Sequence, residues 1–227
     1  VTGAGPIGVM CAAIAKHAGA RNVVITDLSD FRLSLAKVTG AVTVNTREQD
    51  LREVMVDLGI TEGFDVGLEL SGAPSATRQM LDVCNYGARI AMLGLPSASY
   101  DINWNQVITH MLTIKGVYGR EMFDTWYKAD FMLGSSPQLR DQIRSVITHR
   151  VTPENWAEGF DAARSGKCGK VIIDWTACSH RCSQAPPSRA CSFCSLLGAA
   201  PAHQGVDPRH AATATATATP TASNAAA

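Results

Sequence analysis

An excess of charge of one sign is missing from this sequence: across 227 residues, 20 Lys and Arg stand against 20 Asp and Glu. Without a basic field, nothing draws nucleic acid or an anionic membrane surface by long-range attraction, which leaves a small molecule or another protein as the partner. Long hydrophobic runs are missing too. No apolar stretch reaches the roughly 18 to 20 residues that cross a bilayer. No basic segment followed by an apolar stretch and a cleavage site opens the chain. A cytoplasmic protein is expected. An initiator Met is also absent: only Val1 and Thr2 precede a glycine-rich loop, where a buried strand of several residues would stand. The expectation is a cut N-terminus.

What is present is enough apolar sequence, 46% of the residues, to bury one good core. From Pro6 to Gly19, Ile7, Val9, Met10, Ile14 and Ala18 recur at helical spacing, with Gly19 where a C-terminal cap belongs. VVITD, residues 23 to 27, is a β-branched run of the kind buried on both faces of a parallel sheet. The alternation continues with a helix over DFRLSLAKVTG, a strand at VTVN, a helix over DLREVMVDLG and the strand DVGLELS. It runs on through a helix over SATRQMLDVCNYG, the strand ARIAMLG, a helix over NWNQVITHM and the strand LTIKGVYG. Two more helical patterns follow, and KVIIDW is a last strand. Strands alternating with such helices make right-handed βαβ units, so the fold class is α/β, a doubly wound parallel sheet of the Rossmann type with a truncated first strand.

After Trp175 the character changes. Residues 176–227 have no helical or strand period, are rich in Ala, Thr, Ser and Pro, and end in a threonine-alanine repeat. They read as a disordered low-complexity tail. Cys178, Cys182, Cys191 and Cys194, with His180 between them, have the residue types of a zinc site. Their close spacing, and the absence of a surrounding knuckle or helix pattern, favour free thiols.

The loop Gly3-Ala4-Gly5-Pro6-Ile7-Gly8 opens a helix, and each glycine has a physical task. Gly3 permits the tight turn, Gly5 lets a pyrophosphate approach the backbone, and Gly8 allows close helix–strand packing. The helix N-terminus then offers free N–H groups and its positive dipole end to the phosphates. The next strand ends in Asp27, 19 residues after Gly8 and close to the ~20 expected of a dinucleotide fingerprint. A carboxylate there accepts from both hydroxyls of the adenosine ribose and repels a 2′-phosphate, which favours NAD over NADP. Arg32, five residues on, flanks the adenine or ribose, or is a solvated helix residue.

GAGPIGVM, VVITD with DFRLSLAK, EGFDVGLELSG, INWNQVI, IKGVYGREMFDTWYK, ITHR and GFDAARSGKCGKVIIDW together resemble the zinc-dependent threonine dehydrogenases of the medium-chain dehydrogenase/reductase family. GREMFDTWYK is the most telling of these, and the likeness runs from Val1 to Trp175. It implies an NAD-dependent oxidation of L-threonine to 2-amino-3-oxobutanoate. It also implies cofactor contacts at Ile7, Asp27, Arg32, Leu93-Gly94-Leu95 and Val117-Tyr118, the last two groups falling after strands, where ligands of open parallel sheets bind. Residues 1–143 then form the NAD-binding domain, and residues 144–175 are a segment returning to the catalytic domain.

The family's zinc is held by Cys, His and Glu of an N-terminal domain, so zinc belongs to the parent enzyme. Its ligands are missing from this sequence, where none of the six histidines is followed by Glu. No catalytic or metal-binding residue is assigned. The Tyr and Lys pair of short-chain dehydrogenases is missing as well: Tyr86, Tyr100, Tyr118 and Tyr127 are followed four residues later by Ile, Trp, Met and Phe. The expectation is a C-terminal fragment that binds NAD and assembles as a dimer or tetramer through the edge strand LTIKGVYG. Two alternatives stay open, a non-catalytic cofactor-binding or assembly module and a fragment of another alcohol or polyol dehydrogenase. His149 reads as a packing or hydrogen-bonding residue, Cys11 and Cys84 as small core residues on helix faces, and Trp104 and Trp126 as interface anchors or packing residues.

Overall fold

The computed structural model describes residues 1–119 and 121–176, and the tail with its four cysteines lies outside the described residues. The first helix, α1 (Pro6–His17), begins with Pro6, whose fixed φ suits the first turn and whose missing N–H is not needed there. It stops at Ala18, after which Gly19 takes φ +92°, a left-handed conformation that a side chain disfavours. Its buried face is Gly8, Val9, Ala12 and Ala13, small residues that bring the helix axis close to the sheet.

Beneath α1 lies a parallel sheet. β1 (Val24–Asp27) pairs with β2 (Val42–Asn45), with Val24 opposite Val42 and Asp27 opposite Asn45. β3 (Phe64–Glu69), β4 (Cys84–Met92) and β5 (Thr113–Gly116) form the other half. The crossovers are α2 (Asp30–Ala36), α3 (Leu51–Asp57), α4 (Pro74–Val83) and α5 (Trp104–Thr109). Alternation along β1 serves both faces: Val23 and Ile25 pack with Val9, Ala12 and Leu33, whereas Val24 packs with Val44, Leu51, Met55 and Val83.

The two halves meet on the first residues of the chain. Thr2 bridges both Thr26 of β1 and Glu69 of β3 in parallel, giving the order β2-β1-Thr2-β3-β4-β5. Five backbone bonds make the joint. The Val1 ammonium donates to Val24 O (2.8 Å) and Thr26 N–H to Val1 O (2.9 Å). Thr2 N–H donates to Leu68 O (2.9 Å), Leu70 N–H to Thr2 O (3.1 Å) and Gly3 N–H to Thr26 O (2.8 Å). Val1 and Thr2 therefore hold the place of a strand between β1 and β3. Upstream of Val1, β1 and β3 part around an apolar slot of about 110 Å³, lined by Val24, Leu51, Phe64, Leu68 and Met80 among others.

Beyond β5, α6 (Asp124–Ser135) and α7 (Pro137–Arg144) lead to a second, two-stranded parallel sheet. Its strands are β6 (Ile147–Val151) and β7 (Lys170–Ile173), joined by α8 (Trp156–Arg164). Two of these elements depart from the sequence pattern. ITHRV is a strand that periodicity does not reveal, since its partner is KVII rather than a neighbour in the chain. The helix expected over SATRQMLDVCNYG ends at Val83, and Cys84 to Gly87 already belong to β4. There the register against β3 slips: Phe64 faces Cys84 but Val66 faces Arg89, with Gly87 at φ +72°. Cys84 is thus a buried strand residue and not one on a helix face. No described helix is long and apolar enough to cross a membrane.

Candidate functional site

At the carboxyl ends of β1, β2 and β3 a cleft of about 730 Å³ opens, lined by Gly3, Asp27, Arg32, Arg47, Ser71 and Gln79 among others. Its floor is the glycine loop. Gly3 has φ +88°, and a Cβ there would press on Ser71 at 3.2 Å. Gly8 is forced by contact: a Cβ would stand 1.8 Å from the Gly3 carbonyl oxygen. Gly5 is different, because a Cβ on it would meet no heavy atom within 4 Å. The space above Gly5 is open, and Gly5 is also the N-cap of α1, with no side chain satisfying the first-turn N–H groups. A backbone cradle whose donors are unclaimed and whose middle position faces empty space suits a phosphate.

Asp27 closes the cleft on the β1 side. Its carboxylate accepts Ala4 N–H at 2.7 Å, locking the glycine loop to the strand end, and Leu28 and Ser29 N–H at 2.8 and 2.9 Å. Three donors leave about one of a carboxylate's four lone-pair sites free. Ser29 caps α2, accepting Arg32 N–H at 3.4 Å, which fixes Arg32 at the cleft.

The structure brings Gly3, Asp27 and Arg32 to one cleft, and does not bring Gly5, Gly8, Leu93 or Gly94 into its lining. Gly5 and Gly8 follow Gly3 in the loop, and the N–H groups of Leu93 and Gly94 donate to Glu69 O at 2.9 and 3.0 Å. Gly94 is tight, since a Cβ would lie 2.1 Å from Gly72 N. Leu95 (77% exposed) and Tyr118 (91%) present bare apolar surface, and Ile7 is half exposed. Val117 lies farther along the sheet edge, where its N–H donates to Met92 O at 2.8 Å. Sequence reasoning missed Arg47, Ser71 and Glu69. Arg47 follows the end of β2 as Asp27 ends β1, and its position one turn past VTVN is the signal that could have found it.

Elsewhere His149 hydrogen-bonds through Nδ1 with Thr148 Oγ1 at 2.8 Å, the structural part expected of it. Trp104 is 63% exposed and Trp126 packs edge-on against Phe123. Burial pushes the Cys11 thiol up and the Cys84 thiol up to about 11, so both stay protonated at neutral pH. Among the described residues no group of three His, Cys, Asp or Glu could hold a metal ion, so these residues do not fit the family's zinc.

The family model described as zinc-binding dehydrogenase matches residues 6–133. The chain is 58% identical over 177 residues to an L-threonine 3-dehydrogenase of Burkholderia ambifaria, covering 78% of this chain and 51% of that protein. It is 57% identical over 176 residues to the L-threonine 3-dehydrogenase of Cronobacter sakazakii, covering 77% and 50%. Among solved structures, an alcohol dehydrogenase from Thermotoga maritima superposes with a TM-score of 0.67 at 26% identity, over 76% of this chain and 48% of that one. The chain spans about half the length of the curated relatives it matches. With its glycine loop, its strand-end acid and its parallel sheet, the chain belongs to the zinc-binding dehydrogenase family of medium-chain dehydrogenases.

Proposed function

We propose that this chain is the NAD-binding part of a zinc-dependent L-threonine 3-dehydrogenase that works in the cytoplasm. The observation that carries this is a glycine loop, open at Gly5, that is tied through Ala4 N–H to the strand-end carboxylate of Asp27, with Gly3 and Asp27 lining one cleft. The cofactor's pyrophosphate lies over Gly3, Gly5 and Gly8 at the N-terminus of α1, with Ile7 beside it. Asp27 takes the adenosine ribose, Arg32 flanks it, and Leu93-Gly94-Leu95 and Val117-Tyr118 receive the nicotinamide half. Bound NAD supplies the hydride acceptor for oxidation of L-threonine to 2-amino-3-oxobutanoate. The zinc that would activate the substrate alcohol belongs to residues of a longer parent protein. The exposed edge of β5 (Thr113–Gly116) is the surface through which two copies pair.

A second reading, a cofactor-binding and assembly module without turnover, draws on the lack of a metal-holding group among the described residues. Both readings need NAD binding. The test is a calorimetric titration of NAD into this chain and into Asp27→Ala, with expected weakening of roughly tenfold or more for loss of a charge-assisted hydrogen bond. Equal affinity would remove Asp27 from the site. NADH formation from L-threonine in the presence of zinc would exclude the module reading.

A further inference from the structure

Glu69, the last residue of β3, is a carboxylate with no exposed surface, and nothing in the proposed cofactor contacts uses it. No Lys, Arg or His forms an ion pair with it among the described residues. Instead it gathers donors. Oε1 accepts Thr2 Oγ1 (3.2 Å), Ser71 N–H (3.0 Å), Gly72 N–H (3.0 Å) and the Ser71 hydroxyl in a short contact, while Oε2 lies 3.3 Å from Gly72 N. Its carbonyl takes the N–H groups of Leu93 and Gly94.

These partners come from three different connections. Thr2 leads directly into the glycine loop, Ser71 and Gly72 form the turn into α4, and Leu93-Gly94 leave β4. All three press on one another there. A Cβ on Gly94 would come within 2.5 Å of Glu69 Oε2, one on Gly72 within 2.5 Å of Leu95 O, and one on Gly3 within 3.2 Å of Ser71. A buried charge without a cation is costly unless donors surround it, and here the donors are the loops themselves. Asp27 binds the glycine loop to β1, and the Glu69 carboxylate binds Thr2, which leads into that loop, to the turn after β3, while the Glu69 carbonyl holds the loop after β4.

We propose that Glu69 is a positioning residue of the cofactor site, setting the half of the cleft that lies beyond the pyrophosphate. This rests on the NAD-binding reading. The geometry divides the labour: Asp27 and Arg32, which would hold the adenosine half, make no hydrogen bond to Glu69, whereas Ser71 of the same cleft and the loop at Leu93-Gly94 are fixed on it. In Glu69→Gln, even with the amide oxygen in the Oε1 place, the NH₂ group in the Oε2 place meets the Gly72 N–H, donor against donor, and the charge that the other donors surround is lost.

The experiment compares AMP, which occupies only the adenosine half, with NADH, which spans both, using the same 227-residue chain. Glu69→Gln is expected to weaken NADH about tenfold while AMP stays within about twofold, tenfold being ~1.4 kcal/mol. Should this variant fail to fold, Thr2→Val, which deletes one hydroxyl donor, replaces it with the same NADH-selective loss of about threefold. Equal weakening of AMP and NADH would mean a general structural role and overturn the proposal, as would unchanged NADH affinity in variants that fold. Asp27→Ala, in contrast, is expected to weaken both ligands. If the unaltered chain binds neither, the cofactor reading itself falls, and this inference with it.

Discussion

Gly5 and Gly8 share one loop but answer to different constraints, and substitution separates them. In Gly8→Ala the new methyl would stand 1.8 Å from the Gly3 carbonyl, so loop and helix must move apart. Overpacking of this kind costs about 3 kcal/mol, read as a lower urea midpoint. Gly5→Ala meets open space, and its stability should stay within about 1 kcal/mol of the parent. Its NADH affinity should nevertheless fall, because the methyl enters the phosphate's place. A second residue-scale prediction concerns Val1, whose α-amino group burial lowers from 8.0 to about 6. The unfolded chain binds more protons than the folded one between these values, so stability should rise from pH 6 to pH 8. The gain is at most roughly 2 to 3 kcal/mol, since one pKa unit is worth about 1.4. Urea midpoints at the two pH values check it, and acetylation of Val1 should flatten the rise. At this scale the glycines and Asp27 were legible, because spacing encodes them. Glu69 was not, since one acid in an apolar run reads as a solvent-facing residue until the fold closes three loops over it.

Among elements, β5 is the one whose surroundings are unfinished. All four of its residues are exposed, and among the described residues it pairs on one side only, with β4. An edge of this kind invites a second strand. Lys115 tempers it, but Ile114 keeps 37% of its surface exposed. Ile114→Lys should shift the chain toward monomer in size-exclusion chromatography or ultracentrifugation, with AMP affinity unchanged because Asp27, at the end of β1, lies across the sheet from that edge. A chain that is monomeric before the substitution would remove β5 as an interface. The βα alternation itself was readable because the strands are local runs and Ser29, Asp50 and Asn103 cap the helices after β1, β2 and β4. β6 was not, since its five residues become a strand only by pairing with β7, some twenty residues away. The early start of β4 was hidden for a similar reason: nothing local tells the helix to end at Val83, and the slip beside Gly87 depends on the partner strand.

For the molecule as a whole, the apolar slot upstream of Val1 is a place where the sheet is present on both sides and absent in the middle. In a parallel ladder successive bonds from one strand alternate between its neighbours. Since Leu68 O and Leu70 N–H already serve Thr2, the amide of Leu68 and both backbone groups of Val66 point into the slot. Val66 is 60% exposed, far from what a central strand requires. A form of the chain carrying four additional β-branched residues before Val1 should pair these groups and fill the slot. The expected gain is roughly 0.5 to 1.5 kcal/mol per hydrogen bond made, plus the apolar burial. Thermal melting of the extended and original chains would measure it, and no gain would mean that the slot collapses instead.

The bridge at Thr2 has one further consequence. It couples a two-stranded leaf, β1 with β2, to a three-stranded leaf, β3 to β5, and each leaf has its own cluster of buried residues. The hydrogen-bonded continuity of the sheet thus passes through a seam of three residues, Val1 to Gly3, backed by the cluster in which Val24 and Leu51 pack with Val83. Hydrogen exchange should find the two leaves opening as separate units, at different free energies, in a chain shortened by Val1 and Thr2, and as one unit while those residues remain.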